Sequence, residues 1–567
     1  MAALNGFLST DVFTGITNAN LSSDMADFGG SLWPPYHSQV SVTLKSPLTT
    51  HWPVAANGTP INGFLAESYS ADFYHRIHIS PARLDLGNIV STQTAPVTIW
   101  NAYLEPKLLL SIDGVDEGIE LSGQPNPPLT FTALQERVWN VAITPDGPAV
   151  LDGELSWEFA SGDAPKLVVT GNRVTAFPWR IDWADGVREK LTWATSIAQS
   201  KSGAEQRRAM RLVPRRNLSA NLFLDKRERQ FFDLAMFGWS ARVWAIPVWF
   251  EIQLITSSVA AGSMEILCDT ANRDFRANGL AILLSETAFH FETVEVLSVS
   301  PTKITLKREL LQSWPAGTRL YPARTARLEQ VPSIRRKTDT LQSTSVDFVM
   351  TEPCEWPAVA PVTTYRGRPV FDAVPNESED LTSQFQRLLL QLDNGSAAPV
   401  VTDTANLAFF INQHSWMLYG RAEQAAARSF FYFMSGRLKS VWIPTHADDL
   451  TLVAVVSNTA TTMDVAWCGY ARFGQVKTGR KDIRIQLRNG TVFYRRITAA
   501  AEISADVERL QFDSVLGVQV FPEDVMRISW LMLMRGDSDS IEIQHVTDSD
   551  GLATTQQIFR SVRDDDL

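Results

Sequence analysis

Cysteine is scarce in this sequence: 567 residues contain only Cys268, Cys354 and Cys468. Three thiols cannot staple a chain of this size, so a disulfide scaffold is excluded, and their spacing fits no zinc knuckle. Histidine is nearly as scarce, with eight residues. None stands in a His-Glu-x-x-His motif or at zinc spacing from a cysteine. His75-Arg76-Ile77-His78 looks like a strand entry whose two rings face different sides, so no metal site is expected there. No Gly-x-Ser-x-Gly elbow, phosphate-binding loop or dinucleotide-binding fingerprint is present. Basic charge is also short: 51 Lys+Arg against 62 Asp+Glu leave a net charge of −11. That disfavours a dedicated binder of nucleic acid or of anionic membranes. Long apolar runs are missing too. The most apolar window, Phe231 to Phe250, is broken by Asp233, Arg242 and Pro247, so no membrane insertion is expected. The first residues show no basic, apolar leader pattern, so no secretory signal is expected and the chain is read as made in a reducing compartment.

What is present is a globular composition, 45% apolar and 20% charged. At about 150 residues per domain, three or four domains are expected. Strand patterns dominate. Leu155, Trp157 and Phe159 alternate with Ser156 and Glu158; Val294 to Leu297 turns at Ser300-Pro301-Thr302 into Ile304-Thr305-Leu306; Ile483, Ile485 and Leu487 turn at Asn489-Gly490 into Val492-Phe493-Tyr494. Asn-Gly between apolar runs is a strong hairpin signal, because the tight turn needs positive φ at both central residues. Two helices are expected. One follows Asp225, with Glu228 as a capping box and Phe231, Phe232 and Met236 ahead of Gly238; the other runs from about Ala422 to Gly436. A third is placed at Leu381 to Leu392, stopping at Asn394-Gly395.

The two main helices share their surroundings. The first is followed by Trp244-Ala245-Ile246-Pro247, the second by Trp442-Ile443-Pro444. Phe177-Pro178-Trp179 opens one segment and Phe371-Asp372 the other. Order and spacing recur at an offset of about 200 residues, the signature of a repeated unit. Trp244 and Pro247, Trp442 and Pro444 are the landmarks, and Trp244 is expected to superpose on Trp442. Between the copies, residues 331–369 contain the proline-dense run Pro353 to Pro361 and are read as an extended linker. Ahead of them, strands recur about every ten residues from Ile77 on, as in a β-sandwich.

Candidates for chemistry are few. His446-Ala447-Asp448-Asp449 sets a base beside two carboxylates. A polar loop is preferred, since the matching stretch of the first copy, Val248-Trp249-Phe250-Glu251, has no such group. The most distinctive string runs from Ser202 to Arg216 and is rich in arginine. With apolar Met210, Leu212 and Val213 among the arginines and an acidic chain overall, Arg207, Arg208, Arg215 and Arg216 are read as a subunit interface, where planar guanidinium forks meet carboxylates.

Two resemblances add to this reading. Pro81, Leu84-Asp85-Leu86-Gly87 and Trp100-Asn101 resemble the immunoglobulin-like domains of the ASH/MSP type. Gly203, Glu205, Arg207-Arg208 and Pro214-Arg215-Arg216, with the helix and Trp-x-x-Pro strand that follow, are similar to a phrase in distal-tail proteins of siphophage tail tips and baseplates. The second copy has no Pro-Arg-Arg and shares this resemblance only weakly. The resemblance implies a mainly β, multidomain virion protein, with an Ig-like β-sandwich followed by two tandem β-barrel-plus-helix modules of the tail-tube kind. It implies no enzyme activity and no cofactor. The expected partners are further copies of the chain, as a homotrimer with pseudo-sixfold character or alternatively a homohexamer, together with tail tube, tape measure and baseplate proteins. Specific nucleic-acid binding is not expected. A receptor- or carbohydrate-binding tail protein is the alternative, and a tail-associated hydrolase a more distant one. The expected division is 1–76 irregular or β, 77–172 sandwich, 173–330 first module, 331–369 linker, 370–546 second module and 547–567 acidic tail.

Overall fold

The computed structural model describes residues 73–563, apart from 146, 148, 149, 241, 379, 396, 397, 476 and 548–550. The segment expected as 1–76 therefore lies almost wholly outside the described residues. The chain is mainly β and divides into two units, 1–171 and 172–567.

The first unit holds β1 (Ile77–Ser80), β2 (Arg83–Ile89), β3 (Gln93–Asn101), β4 (Lys107–Asp113), β5 (Ile119–Ser122), β6 (Leu129–Phe131), β7 (Glu136–Ile143), β8 (Val150–Phe159) and β9 (Lys166–Arg173). They form two sheets, in the orders β1-β3-β7-β5 and β2-β9-β8-β4-β6. Alternation along β8 turns Leu151, Leu155, Trp157 and Phe159 inward, onto one core with Trp139, Phe131 and Ile99. Asn101, at the end of β3, fastens two loops: its Nδ2 donates to the Glu105 and Thr132 carbonyls at 3.1 and 2.9 Å.

The second unit is built on one large, almost wholly antiparallel sheet. Its first half comprises β10 (Thr175–Ala176), β11 (Ile181–Thr192), the hairpin β12 (Thr195–Gln199) and β13 (Glu205–Ala209), β14 (Arg215–Asp225), α1 (Lys226–Trp239) and β15 (Trp244–Pro247). An insertion follows, β16 (Gln253–Leu254), β17 (Glu265–Leu267), β18 (Leu280–Leu284), β19 (Phe291–Ser300) and β20 (Lys303–Leu306). The half closes with β21 (Arg319–Leu328), β22 (Ile334–Arg336) and β23 (Leu341–Met350). The second half comprises β24 (Thr364–Tyr365), β25 (Arg368–Pro369), β26 (Ser383–Gln386), β27 (Leu389–Leu392), β28 (Val400–Asp403), β29 (Phe409–Tyr419), α2 (Gly420–Met434) and β30 (Ser440–Pro444). Its own insertion is β31 (Thr462–Ala466), β32 (Asp482–Leu487), β33 (Val492–Glu502) and β34 (Val507–Phe512), and it closes with β35 (Val525–Gly536), β36 (Ser540–His545) and β37 (Leu552–Ser561).

The halves follow one pairing pattern. β14 pairs with β11 and β23, and β21 with β15 and β23. In the same way β29 pairs with β26 and β37, and β35 with β30 and β37. Asp225, the last residue of β14, faces Leu341, and Tyr419, the last of β29, faces Leu552. Each helix begins at the next residue in a left-handed conformation, Lys226 and Gly420. Before each half, a short segment runs parallel to the strand after the helix: Phe177 N donates to the Ala245 carbonyl and Phe371 N to the Trp442 carbonyl, both at 2.8 Å.

This register corrects one landmark. Ala245, not Trp244, occupies the position of Trp442. Pro247 and Pro444 still match, since one strand reads Trp-x-x-Pro and the other Trp-x-Pro. Neighbouring strand residues point to opposite faces. Trp244 therefore packs with Phe177, Trp179 and the α1 side, whereas Trp442 packs with Val370, Leu531 and Leu533 on the other.

Other expectations are corrected as well. No closed barrel forms among the described residues; apart from the separate hairpins β12–β13, β24–β25 and β27–β28, the strands of both halves belong to one sheet. The linker of 331–369 contains β22 and β23, and Val346, Phe348 and Met350 of β23 enter the core of the first half. Its proline-dense part is packed too: the Tyr432 hydroxyl donates to the Cys354 carbonyl at 2.6 Å and Trp356 Nε1 to Ser429 Oγ at 3.0 Å. The expected acidic tail carries β37, a long partner of β29. The third helix is absent; β26 and β27 occupy its place. The capping box of α1 is not made either, because the Glu228 carboxylate accepts from the Ala288 backbone at 3.0 Å instead. A chain lacking residues 552–561 should lose the cooperative unfolding transition of the second unit, while a transition from the first unit persists; scanning calorimetry of the two chains checks this.

Candidate functional site: a buried charge network between the two halves

Alternation along two strands decides which arginine of the Arg215-Arg216 pair is buried. Arg215 points outward, and Arg216 follows Leu218, Ala220 and Leu222 inward and is 3% exposed. On the neighbouring strand, Glu189 lies on the inner face between Val187 and Leu191. Arg216 donates from Nε to Glu189 at 2.7 Å and from Nη1 to Asp274 at 2.6 Å. Arg324 of β21 makes a forked pair with the same Asp274. From the second half, Arg428 of α2 reaches Glu189 at 2.9 Å and Glu251 at 2.8 Å. His545 of β36 adds its Nε2, 3.0 Å from Glu189, and stacks flat on Phe250 with ring centroids 3.5 Å apart. Glu251 in turn accepts the backbone N–H of Asp274 at 2.5 Å.

At the centre, three carboxylates, Glu189, Glu251 and Asp274, face three guanidiniums, those of Arg216, Arg324 and Arg428. Burial alone would raise the Glu189 pKa, but Arg216, Arg428 and His545 outweigh it and hold the carboxyl well below its ordinary range. Asp274 behaves alike: burial opposes ionisation, and Arg324 and Arg216 overcome it. Burial would lower the Arg428 pKa, but Glu189 and Glu251 raise it. Burial dominates at His545 and lowers its pKa to about 4 despite Glu189, so the ring is neutral at pH 7.

The network is where the halves meet. β11 of the first pairs with β36 of the second, Val187 facing His545 and Thr192 facing Ser540. The β12–β13 hairpin reaches across the same join. Glu205 takes a two-pronged contact from Arg535 at 2.8 Å on each arm. Gly203, at φ +86°, lies so near Phe409 that a Cβ would come within 2.2 Å of the ring; only glycine permits that approach at that φ.

Sequence reading placed Arg207, Arg208, Arg215 and Arg216 together at a subunit interface. Arg216 is corrected: its partners lie inside the chain, because strand alternation turns it into the core. Arg207 is half-buried beside Glu205, at 3.9 Å. Arg208 and Arg215 are exposed. The three carboxylates, Arg324 and Arg428 were missed, because nothing local marks charges that meet only in the fold. His446 and Asp449 do lie in a loop. Asp449 accepts from Thr445 and from Trp530 N, and burial brings His446 down to about 3. Among the described residues, no group of three His, Cys, Asp or Glu is placed to hold a metal. Beside α2 lies a groove of about 1190 Å³ lined by Phe275, Trp356, Phe371, Ala426 and Phe430. The chain matches no family model and no curated protein.

Breaking a fully buried pair from one side leaves a charge without its partner. Arg428→Met should therefore cost about 3–5 kcal/mol, while Arg208→Ala on the surface should stay within about 0.5 kcal/mol; urea unfolding of both variants checks the contrast. A second prediction concerns pH. His545 is free to bind a proton in the unfolded chain below its ordinary value of 6.5, but only below about 4 in the fold. Between these values the unfolded state binds more protons, so stability falls as pH falls. His545→Gln should flatten the slope of stability against pH by up to about 1.4 kcal/mol per pH unit in that window. The Glu189 and Asp274 carboxyls, both held below their ordinary values, contribute in the same direction. Their stabilisation is present above their unfolded values and is lost only as pH falls through the depressed folded values.

Proposed function

We propose that this chain is a non-enzymatic structural protein of a bacteriophage tail tip, made in the host cytoplasm and located in the virion where tube and baseplate meet. The observation that carries the reading is the edge-to-edge join of two like-patterned halves within one antiparallel sheet. A half that joins its like inside the chain is suited to join further halves in a ring. The residues behind the distal-tail resemblance support this reading, since Gly203, Glu205 and Arg216 all act at or beside that join.

On this reading the first unit is an Ig-like spacer of the ASH/MSP type, and the two halves are tail-tube modules. Closure of the wall is completed between chains. Six modules per ring require three chains, giving a homotrimer with pseudo-sixfold character; a homohexamer, with only one module per chain at the lumen, is the competing arrangement. Tail tube, tape measure and baseplate proteins would be the neighbours. Negative-stain averages of the purified chain should show rings with three copies, and gold-labelled antibody should mark the tail tip of virions. Label confined to the capsid or absent from virions would overturn the assignment.

A further inference from the structure

The internal join has a counterpart that is open. In the shared register, β26 holds the place of β11, with Ser383 at the position of Glu189. β22 holds the place of β36, with Ile334 at the position of Ile543. Inside the chain, β11 and β36 pair over six residues. Their counterparts pair only with their own half among the described residues, and every residue of both is exposed.

The helices show the same asymmetry independently. On α2, Gln424, Arg428, Phe431 and Tyr432 form a buried stripe. Much of its cover comes from the other half: Arg428 binds Glu189 and Glu251, Phe431 lies in one cluster with Leu191 and Trp193, and Tyr432 packs on Trp193. Counted from the shared helix start, the same stripe on α1 is Gln230, Leu234, Phe237 and Gly238, and all four are exposed. Leu234 is 72% and Phe237 94% exposed. Two bulky apolar side chains in water on one helix stripe, beside an unpaired strand edge, mark a covered face rather than a solvated one.

We propose that the β22 edge and the α1 stripe of one chain dock on the β26 edge of a second copy, reproducing between chains the join that β36 and α2 make with β11. The inference deepens the ring reading and rests on it only for the number of copies. The register follows from the internal join. Ser383 faces Ile334 of the neighbour, as Glu189 faces Ile543. Continued outward, Asp380 meets Lys337, which extends the basic run Arg335-Arg336-Lys337 toward an acidic partner. Phe385, 66% exposed, comes opposite Pro332, where Leu191 faces Ile541 inside the chain. The network is not copied. Its places are taken by Ser383, Phe410, Leu234 and Arg336, so the outer join lacks the carboxylate cluster of the inner one.

The test is disulfide trapping in the full chain with Cys468→Ser. Ser383→Cys with Ile334→Cys should give a reducible ladder of linked chains ending at three. Ser383→Cys with Arg336→Cys, two residues out of register, should give at least tenfold less. Leu234→Asp with Phe237→Asp should weaken association at least tenfold, measured by sedimentation, and leave circular dichroism and melting temperature unchanged. A chain that stays monomeric, or that assembles with no in-register link or with equal linking in both pairs, overturns the proposal. In-register ladders that run past three chains leave the docked edges standing and overturn the three-copy ring.

Discussion

The Glu189 carboxylate lies on the inner face of a strand among valine and leucine, a place where a lone charge would cost several kcal/mol. It is held there by three partners from three elements, Arg216 of β14, Arg428 of α2 and His545 of β36. Two of the three come from the other half, so Glu189 is satisfied only when the halves are joined in one register. A slip of one residue along β11 would turn it to solvent and Lys190 into the core. The gain from such a cluster over a well-packed apolar one is small or negative. What it supplies here is intolerance of any other arrangement of the halves.

The contrast between α1 and α2 follows from this. Two helices begin alike, after equivalent strands and with a left-handed first residue, yet one stripe carries Arg428 and Phe431 in the interior and the other carries Leu234 and Phe237 in water. The two surfaces are not interchangeable: Ser383 stands at the place of Glu189, so an arginine at the Leu234 position would find no carboxylate there, and a leucine in place of Arg428 would strand Glu189. The two halves thus present different surfaces at equivalent places, which in the proposed docking would let a chain tell its own second half from that of a neighbour.

Much of the fold could be read from local pattern. Both helices lie within a few residues of their expected bounds, and the hairpins turning at Pro301 and at Asn489-Gly490 are formed. What escaped is physical in each case. β37 turns Ala553, Thr555, Gln557, Phe559 and Ser561 inward, a face too polar to read as core. Residues 381–392 are rich in leucine and looked helical, but Leu389, Leu390 and Leu392 are exposed on a short hairpin. The linker reading extended the proline density of 353–361 over a strand with clean alternation. Of the network, only Arg216 stood out in the sequence. Its carboxylates lie 27 and 58 residues away, and charge pairs at such separations leave no periodic trace.

The join of β11 to β36 links residues 356 apart, Glu189 and His545. During synthesis the amino-terminal half must therefore wait, with an ionised interior edge uncovered, for nearly all the rest of the second unit to be translated. Contacts this distant form late. The consequence is a built-in order of events: until α2 and β36 arrive, Glu189 lacks two of its three partners. The inner join therefore closes only once β36 has been made.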